Sequence, residues 1–319
     1  MEYPVTFHLA NDDKAIGHRD DYLEQDRIER HVAPYGSSLL RLFWRFIHPC
    51  YPIVHKSGFM EKYSISYREI AAPLLGAVYL IALNWWSYDP NLSNKSVPDA
   101  SLLRKEVIDA IQNSYHRPRL SSIEATLLLL QCKPEDALNP DHTWSWGYTA
   151  QALAIGQAQG LHLDASSWSI PQWERQLRKR LSWALYVQDK WTALIHGRPS
   201  HFHDDDWGVR DLNDGDFARL AEDMDSRNDD IPSTDVEAGR TIFIETVTLS
   251  KVLSDVLSQF YTLRASRIQD TVELYQQALP MLSRLQSWHE SLPPALLMNS
   301  HVTRKLSANG TCLDIDGLR

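Results

Sequence analysis

The run His201-Phe202-His203-Asp204-Asp205-Asp206 has the clearest capacity for chemistry in this sequence. Imidazole and carboxylate suit zinc or iron, and a His-x-His-x-Asp pattern can ligate two metals in a metal-dependent hydrolase. On that reading His201, His203 and Asp205 hold the metal. Such sites need further ligands and a β-sandwich behind them, and Asp206 stands where the pattern normally carries another His. A solvated turn after Gly197-Arg198-Pro199 accounts for the same residues without any metal.

Nucleophilic chemistry finds less support. There is no Gly-x-Ser-x-Gly elbow, no Gly-x-Gly-x-x-Gly or Gly-x-x-x-x-Gly-Lys phosphate loop, and no Cys paired with His in a recognisable motif. The three cysteines, Cys50, Cys132 and Cys312, are too few and too scattered for a disulfide framework, which suggests a reducing compartment. His48-Pro49-Cys50-Tyr51-Pro52 reads as a rigid turn that brackets a filler thiol between prolines. Asp189 is flanked by apolar residues, so if buried it must be paired. Arg198, in the Gly-Arg-Pro turn just beyond, is the expected partner. The basic run Arg178-Lys179-Arg180 reads as a solvated helix flank. Eleven tryptophans point first to core packing, and leave room for an apolar ligand pocket between helices.

The elements that must position these groups are helices. Four Ser/Thr-x-x-Glu/Gln capping boxes occur, at Ser66/Glu69, Ser121/Glu124, Thr234/Glu237 and Ser266/Gln269. Helical spacing predicts helices over Ser38–Ile47, Tyr67–Trp86, Asp99–Tyr115, Ser122–Gln131, Thr143–Gln159 and Pro171–Ile195. Two further apolar stripes, Leu249/Leu253/Val256/Leu257/Phe260 and Ile268/Val272/Tyr275/Leu279/Leu282, should each lay one face on a common core. No alternating strand pattern is found, so the predicted fold is all-α, a single large multi-helix domain with a long acidic loop. Ile70 to Tyr88 is uncharged over nineteen residues but is broken by Pro73, Gly76, Asn84 and Ser87, and reads as a core helix and not a membrane span.

Charge is concentrated in one place. The net charge of the 319 residues is −9, and Asp204 to Glu237 alone holds thirteen acidic and three basic residues. That balance excludes a protein that coats nucleic acid through bulk positive charge. The segment 204–233 is expected to be a disordered loop, being too poor in apolar side chains to offset its ordering entropy.

Three segments resemble a known family. Arg178 to Lys190 followed by Gly197-Arg198-Pro199, with Trp183, Tyr186 and Asp189 inside it, resembles the signature helix of fungal zinc-cluster transcription factors. It belongs to their middle homology region, the fungal-specific transcription factor domain. Phe46 to Phe59, with His48, Pro49 and Pro52, looks like the motif that opens the domain. Ala150 to Asp164, with Gly160, His162 and Asp164, looks like its Ala-rich helix ending in Gly-Leu-His-x-Asp. Within the family the sequence looks closest to nitrogen-catabolism co-activators of the TamA type.

The resemblance implies an N-terminal extension over 1–34, a regulatory domain over 35–310 and an atypical tail over 311–319. It implies a nuclear regulator of RNA polymerase II transcription, with no catalysis, acting through other transcription factors, co-regulators or a small-molecule inducer, and with no membrane role. DNA would be read only through a separate Zn₂Cys₆ cluster. That module needs six closely spaced cysteines, so no cofactor is expected in this chain and zinc only in the missing module. A truncated or mis-spliced gene would explain both ends.

Overall fold

The structure is a computed structural model that describes residues 21–134, 143–217, 233–267 and 270–297. Among these it contains ten α-helices and no strand. They are α1 (Asp21–Val32), α2 (Gly36–Leu42), α3 (Lys56–Ile65), α4 (Ala72–Ala82), α5 (Ala100–Ser114), α6 (Leu120–Leu130), α7 (Thr143–Ala158), α8 (Gln172–His196), α9 (Ser233–Phe260) and α10 (Thr271–Ser291). The all-α expectation holds.

The uncharged stretch is a core helix flanked by irregular turns. Ile70 and Ala71 are extended, every residue of α4 is buried, and the chain then tightens into a 3₁₀ segment over Leu83–Tyr88. Pro73 sits in the first turn of α4, where a missing N–H costs nothing. No helix among the described residues is long and apolar enough to cross a membrane. Around α4 pack α1, α2, α5 and α6, and α6 then passes the core on to α7 and α8.

Several expectations are corrected. Residues 21–32 of the expected extension pack on the core: Ile28 and Val32 of α1 are fully buried, and Glu29 accepts a hydrogen bond from the Tyr79 hydroxyl at 2.9 Å. The polar composition of α1 concealed it, because only one face is apolar. Helix α2 runs directly into a π-helical turn, Phe43–Ile47, with the His48 N–H reaching the Phe43 carbonyl at 3.0 Å.

The capping boxes fail locally. Ser66 caps only a 3₁₀ turn, at the Arg68 N–H, and Ser121 lies inside α6 behind an Arg119 N-cap. Thr234 lies inside α9, and the cap of α10 is Asp270, which accepts from the Val272 N–H at 2.8 Å. Gln269 lies outside the described residues, as do 311–319.

The two C-terminal stripes do not share a core. On α9 the buried residues include Phe243, Val247, Ser250, Val252 and Ser254, whereas Leu249, Leu253, Val256, Leu257 and Phe260 are only half-buried. On α10 no residue is buried, and Val272, Tyr275, Leu279 and Leu282 stand exposed. Helix α10 is held to α9 chiefly by polar contacts, from Trp288 Nε1 to Glu245 at 2.9 Å and from Arg284 to Asp255. Small and hydroxyl side chains let α9 approach α8 closely, so the burial follows shape and not the longest apolar stripe.

Candidate functional site: the long helix and the turns it clasps

Helix α8 runs for 25 residues through the core, and fourteen of its side chains are buried. It ends at Gly197, whose φ of 59° is left-handed, and the Gly197 and Arg198 N–H groups turn back onto the Leu194 and Ala193 carbonyls at 3.3 and 3.1 Å. This is the glycine-terminated closure expected there. Gly160, with φ of 74°, ends α7 in the same manner.

Asp189 is fully buried, but Arg198 is not its partner. The carboxylate Oδ1 accepts from the His201 N–H at 2.9 Å and from His201 Nδ1 at 3.0 Å. Its Oδ2 accepts from the Ser200 hydroxyl at 2.5 Å and the Phe202 N–H at 3.1 Å. Burial alone would push this carboxyl up. The hydrogen bonds from the His201 ring, the Ser200 hydroxyl and the two backbone N–H groups outweigh it and hold the carboxyl below its ordinary value.

The buried Lys190 completes the knot, donating to Ser200 Oγ at 2.7 Å and to the Phe202 carbonyl at 3.0 Å. Arg198 points to solvent and lies over the Trp146 ring at 5.3 Å. The correction has a simple cause. The chain reverses at Gly197, and Pro199 then brings the next three residues, not Arg198, over the carboxylate.

The basic run is likewise not a solvated flank. Lys179 is 7% exposed and Arg180 3%. Lys179 pairs with Asp216 at 2.8 Å, and Arg180 donates to the Pro52 carbonyl at 2.6 Å and to the Asp216 carbonyl. Arg178 donates to the Gln159 carbonyl and to Glu174, both at 2.9 Å. Less than one turn of helix thus ties down three separate chain segments. They are the Pro49-to-Pro52 turn, the end of α7, and the acidic segment.

That acidic segment is therefore structured where it is described. Residues 204–217 pack on α8: Phe217 and Val209 are buried, Asp216 is nearly so, and Trp183 Nε1 donates to the Arg210 carbonyl at 2.9 Å. Tyr186 donates to Asp204 at 3.1 Å, and Ser254 of α9 donates to the same carboxylate at 2.7 Å. Trp183, Tyr186 and Trp207 form an aromatic cluster with ring centroids 5.2 to 5.5 Å apart. Residues 218–232 of the predicted loop lie outside the described ones.

The remaining motif residues fall into structural places. His48 is buried, its Nε2 lies 2.9 Å from the Val54 carbonyl, and burial pushes its pKa down to about 3, so the ring is neutral. The Nε2 therefore carries the proton and donates. Asp164 accepts from the Ser166 hydroxyl at 2.8 Å and pairs with Arg210 at 3.0 Å. The His162 carbonyl accepts from the Gly208 N–H at 2.9 Å, while its ring Nδ1 is buried without a partner among the described residues.

The structure separates the candidate metal ligands. His201 turns inward to Asp189, whereas His203 and Asp205 are 76% and 91% exposed and lie 3.4 Å apart. Among the described residues no group of three or more His, Cys, Asp or Glu side chains converges on a metal position. Cys132 is no nucleophile, since burial pushes its thiol up to about 12. The hydrolase reading has no support here.

What the arrangement can do is hold and transmit position. Sequence reasoning missed Lys179, Arg180, Lys190, Ser200 and Asp216. A local signal existed only in the charge balance, three cations on α8 against a strongly acidic segment that had to rest somewhere.

Comparison with known proteins fits these features. The model of a fungal specific transcription factor domain matches residues 40–290. The Saccharomyces cerevisiae transcriptional activator protein DAL81 is 33% identical over 96% of this chain and 34% of its own length. An uncharacterized transcriptional regulatory protein of Schizosaccharomyces pombe is 28% identical over 82% of the chain and 38% of its own. Cutinase transcription factor 1 alpha of Fusarium vanettenii is 25% identical over 78% and 27%. The chain thus spans about a third of the length of these relatives. No solved structure matches.

Proposed function

Because the chain belongs to the fungal specific transcription factor domain family, we propose that it is the regulatory domain of a nuclear transcription factor and acts by conformational control, without catalysis. The observation that carries this reading is the clasp on α8. Arg178, Lys179 and Arg180 tie three distant segments to one helix, and Asp189 ties a fourth. A body joined this way responds as a unit to anything that shifts one of its parts.

Partners are other transcription factors or co-regulators, and a small-molecule inducer is a second input. DNA is reached through a separate zinc cluster, since three scattered cysteines cannot form one of six. The narrower nitrogen-catabolism subtype is part of this proposal and rests on the resemblance of the motif segments.

The test is a fusion of the whole chain to a DNA-binding domain of unrelated origin, read on a reporter in a fungal cell. The fusion should change transcription relative to the DNA-binding domain alone, and Arg180→Leu should alter that change at matched protein level. Output equal to the bare DNA-binding domain for both proteins would overturn the reading.

A further inference from the structure

A cavity of about 210 Å³ lies where the π-helical turn, α4, α8 and α9 meet. Its walls are apolar and aromatic. Phe46 and Trp85 stack with their rings 4.7 Å apart and only 5° from parallel, which makes one wall flat. Phe243 closes the opposite side with Tyr51, edge to face at 6.1 Å, and Ile81 and Ile242 fill between. No charged side chain lines it.

The polar groups there fall into two kinds. Gln131 and Gln188 are spent on the protein: Gln131 donates to Gln188 at 2.9 Å, and Gln188 donates to Thr192 at 2.8 Å. The Asn84 amide and the Tyr51 hydroxyl, by contrast, have no hydrogen-bond partner among the described residues. Burial pushes the Tyr51 phenol up, so it stays a neutral donor. Both residues are half-buried at the cavity wall, and a ligand that meets them gains hydrogen bonds on a largely apolar surface. The π-helical turn that supplies Phe46 and Ile47 is an independent pointer, since such turns are held at functional sites more often than elsewhere.

We propose that this cavity binds an uncharged, planar small molecule of one or two rings, with one hydroxyl or carbonyl facing Asn84 and Tyr51. An ion is excluded because nothing in the lining would offset its desolvation. The flat wall selects a ring system over a bulky aliphatic one. The size is right, since an engineered apolar cavity of about 150 Å³ accepts benzene in another protein. The occupant touches α8 through Val187 and α9 through Ile242 and Thr246, so it bears on the contact between those helices. That consequence rests on the regulatory reading, whereas the binding itself does not.

The probe is 1-naphthol, titrated into the whole chain by calorimetry. Saturable one-to-one binding is expected, with 1-naphthoate at least about tenfold weaker because its charge stays unpaired. Ile242→Trp fills the cavity from α9 and should weaken naphthol about tenfold or more, with an unchanged far-ultraviolet spectrum. Should that variant fail to fold, Val187→Phe fills it from α8. Asn84→Leu should weaken naphthol but not naphthalene. Absence of saturable binding, equal binding of naphthoate, or undiminished binding to a folded cavity-filled variant would overturn the proposal. Naphthol binding with a silent reporter would overturn only the regulatory reading, and an active reporter without naphthol binding only this one.

Discussion

Replacing Asp189 by alanine removes the acceptor for four donors at once. The His201 and Phe202 N–H groups, the Ser200 hydroxyl and the His201 ring all converge on its two oxygens. Each buried backbone donor left unsatisfied costs about 1–3 kcal/mol. Lys190, 3.6 Å from Asp189 Oδ2, loses that ion pair but keeps Asp204 at 3.5 Å, so it does not become an isolated buried charge. The sum is about 4 kcal/mol, within the ~3–5 kcal/mol typical of breaking a buried ion pair.

For a chain of 319 residues that corresponds to a fall in Tm of about 6 °C, taking the usual unfolding entropy per residue. Asp189→Asn should lose roughly half as much, because one oxygen is kept and the new amide faces a donor. The carboxyl is held below its ordinary value, so its stabilisation is present above pH ~4 and fades as pH falls through the lower folded value. The two proteins should therefore converge in acid. Arg198→Ala should cost under ~1 kcal/mol, since it loses only an exposed contact with Trp146. Denaturant unfolding with a double-mutant cycle measures all of this. A cost under ~1 kcal/mol for Asp189→Ala, or coupling between 189 and 198 above ~1 kcal/mol, would refute the account.

Three more outcomes are expected. His48 is depressed to about 3, so stability rises with pH up to about 6.5; Glu124, buried and pushed up to about 8 from 4.5, makes stability fall between those values. Unfolding measured across pH should show a plateau near 4.5–6.5, and Glu124→Gln should remove the decline above it, an outcome checked by chemical denaturation at pH 7 and 8. Gly239 approaches the Pro49 backbone so closely that an added Cβ would lie 2.6 Å from the Pro49 carbonyl, and Gly239→Ala should cost ~1–3 kcal/mol in the same assay. In a gel shift at physiological salt the chain alone should show no sequence-selective retention, while a six-cysteine cluster joined to it should confer one.

The sequence by itself determined the helical class, the approximate limits of α5 to α8, and the three motifs that mark the family. Periodicity and a helix-ending glycine are local properties, and they survive any tertiary arrangement. It also determined that Asp189 must be satisfied if buried. Which donors satisfy it was decided only by the fold, because the path after Gly197 sets whether Arg198 or Ser200 to Phe202 overlies the carboxylate. The same holds for Lys179 and Arg180. A basic run on a helix is solvated or buried according to what packs on it, and here the acidic segment and Pro52 do. Helix α1 was invisible because only two of its buried residues, Ile28 and Val32, are apolar, the others being Glu24 and Gln25. The stripe on α10 was visible yet misread, since an apolar stripe states what could be buried, while burial depends on a neighbour that only the tertiary structure supplies.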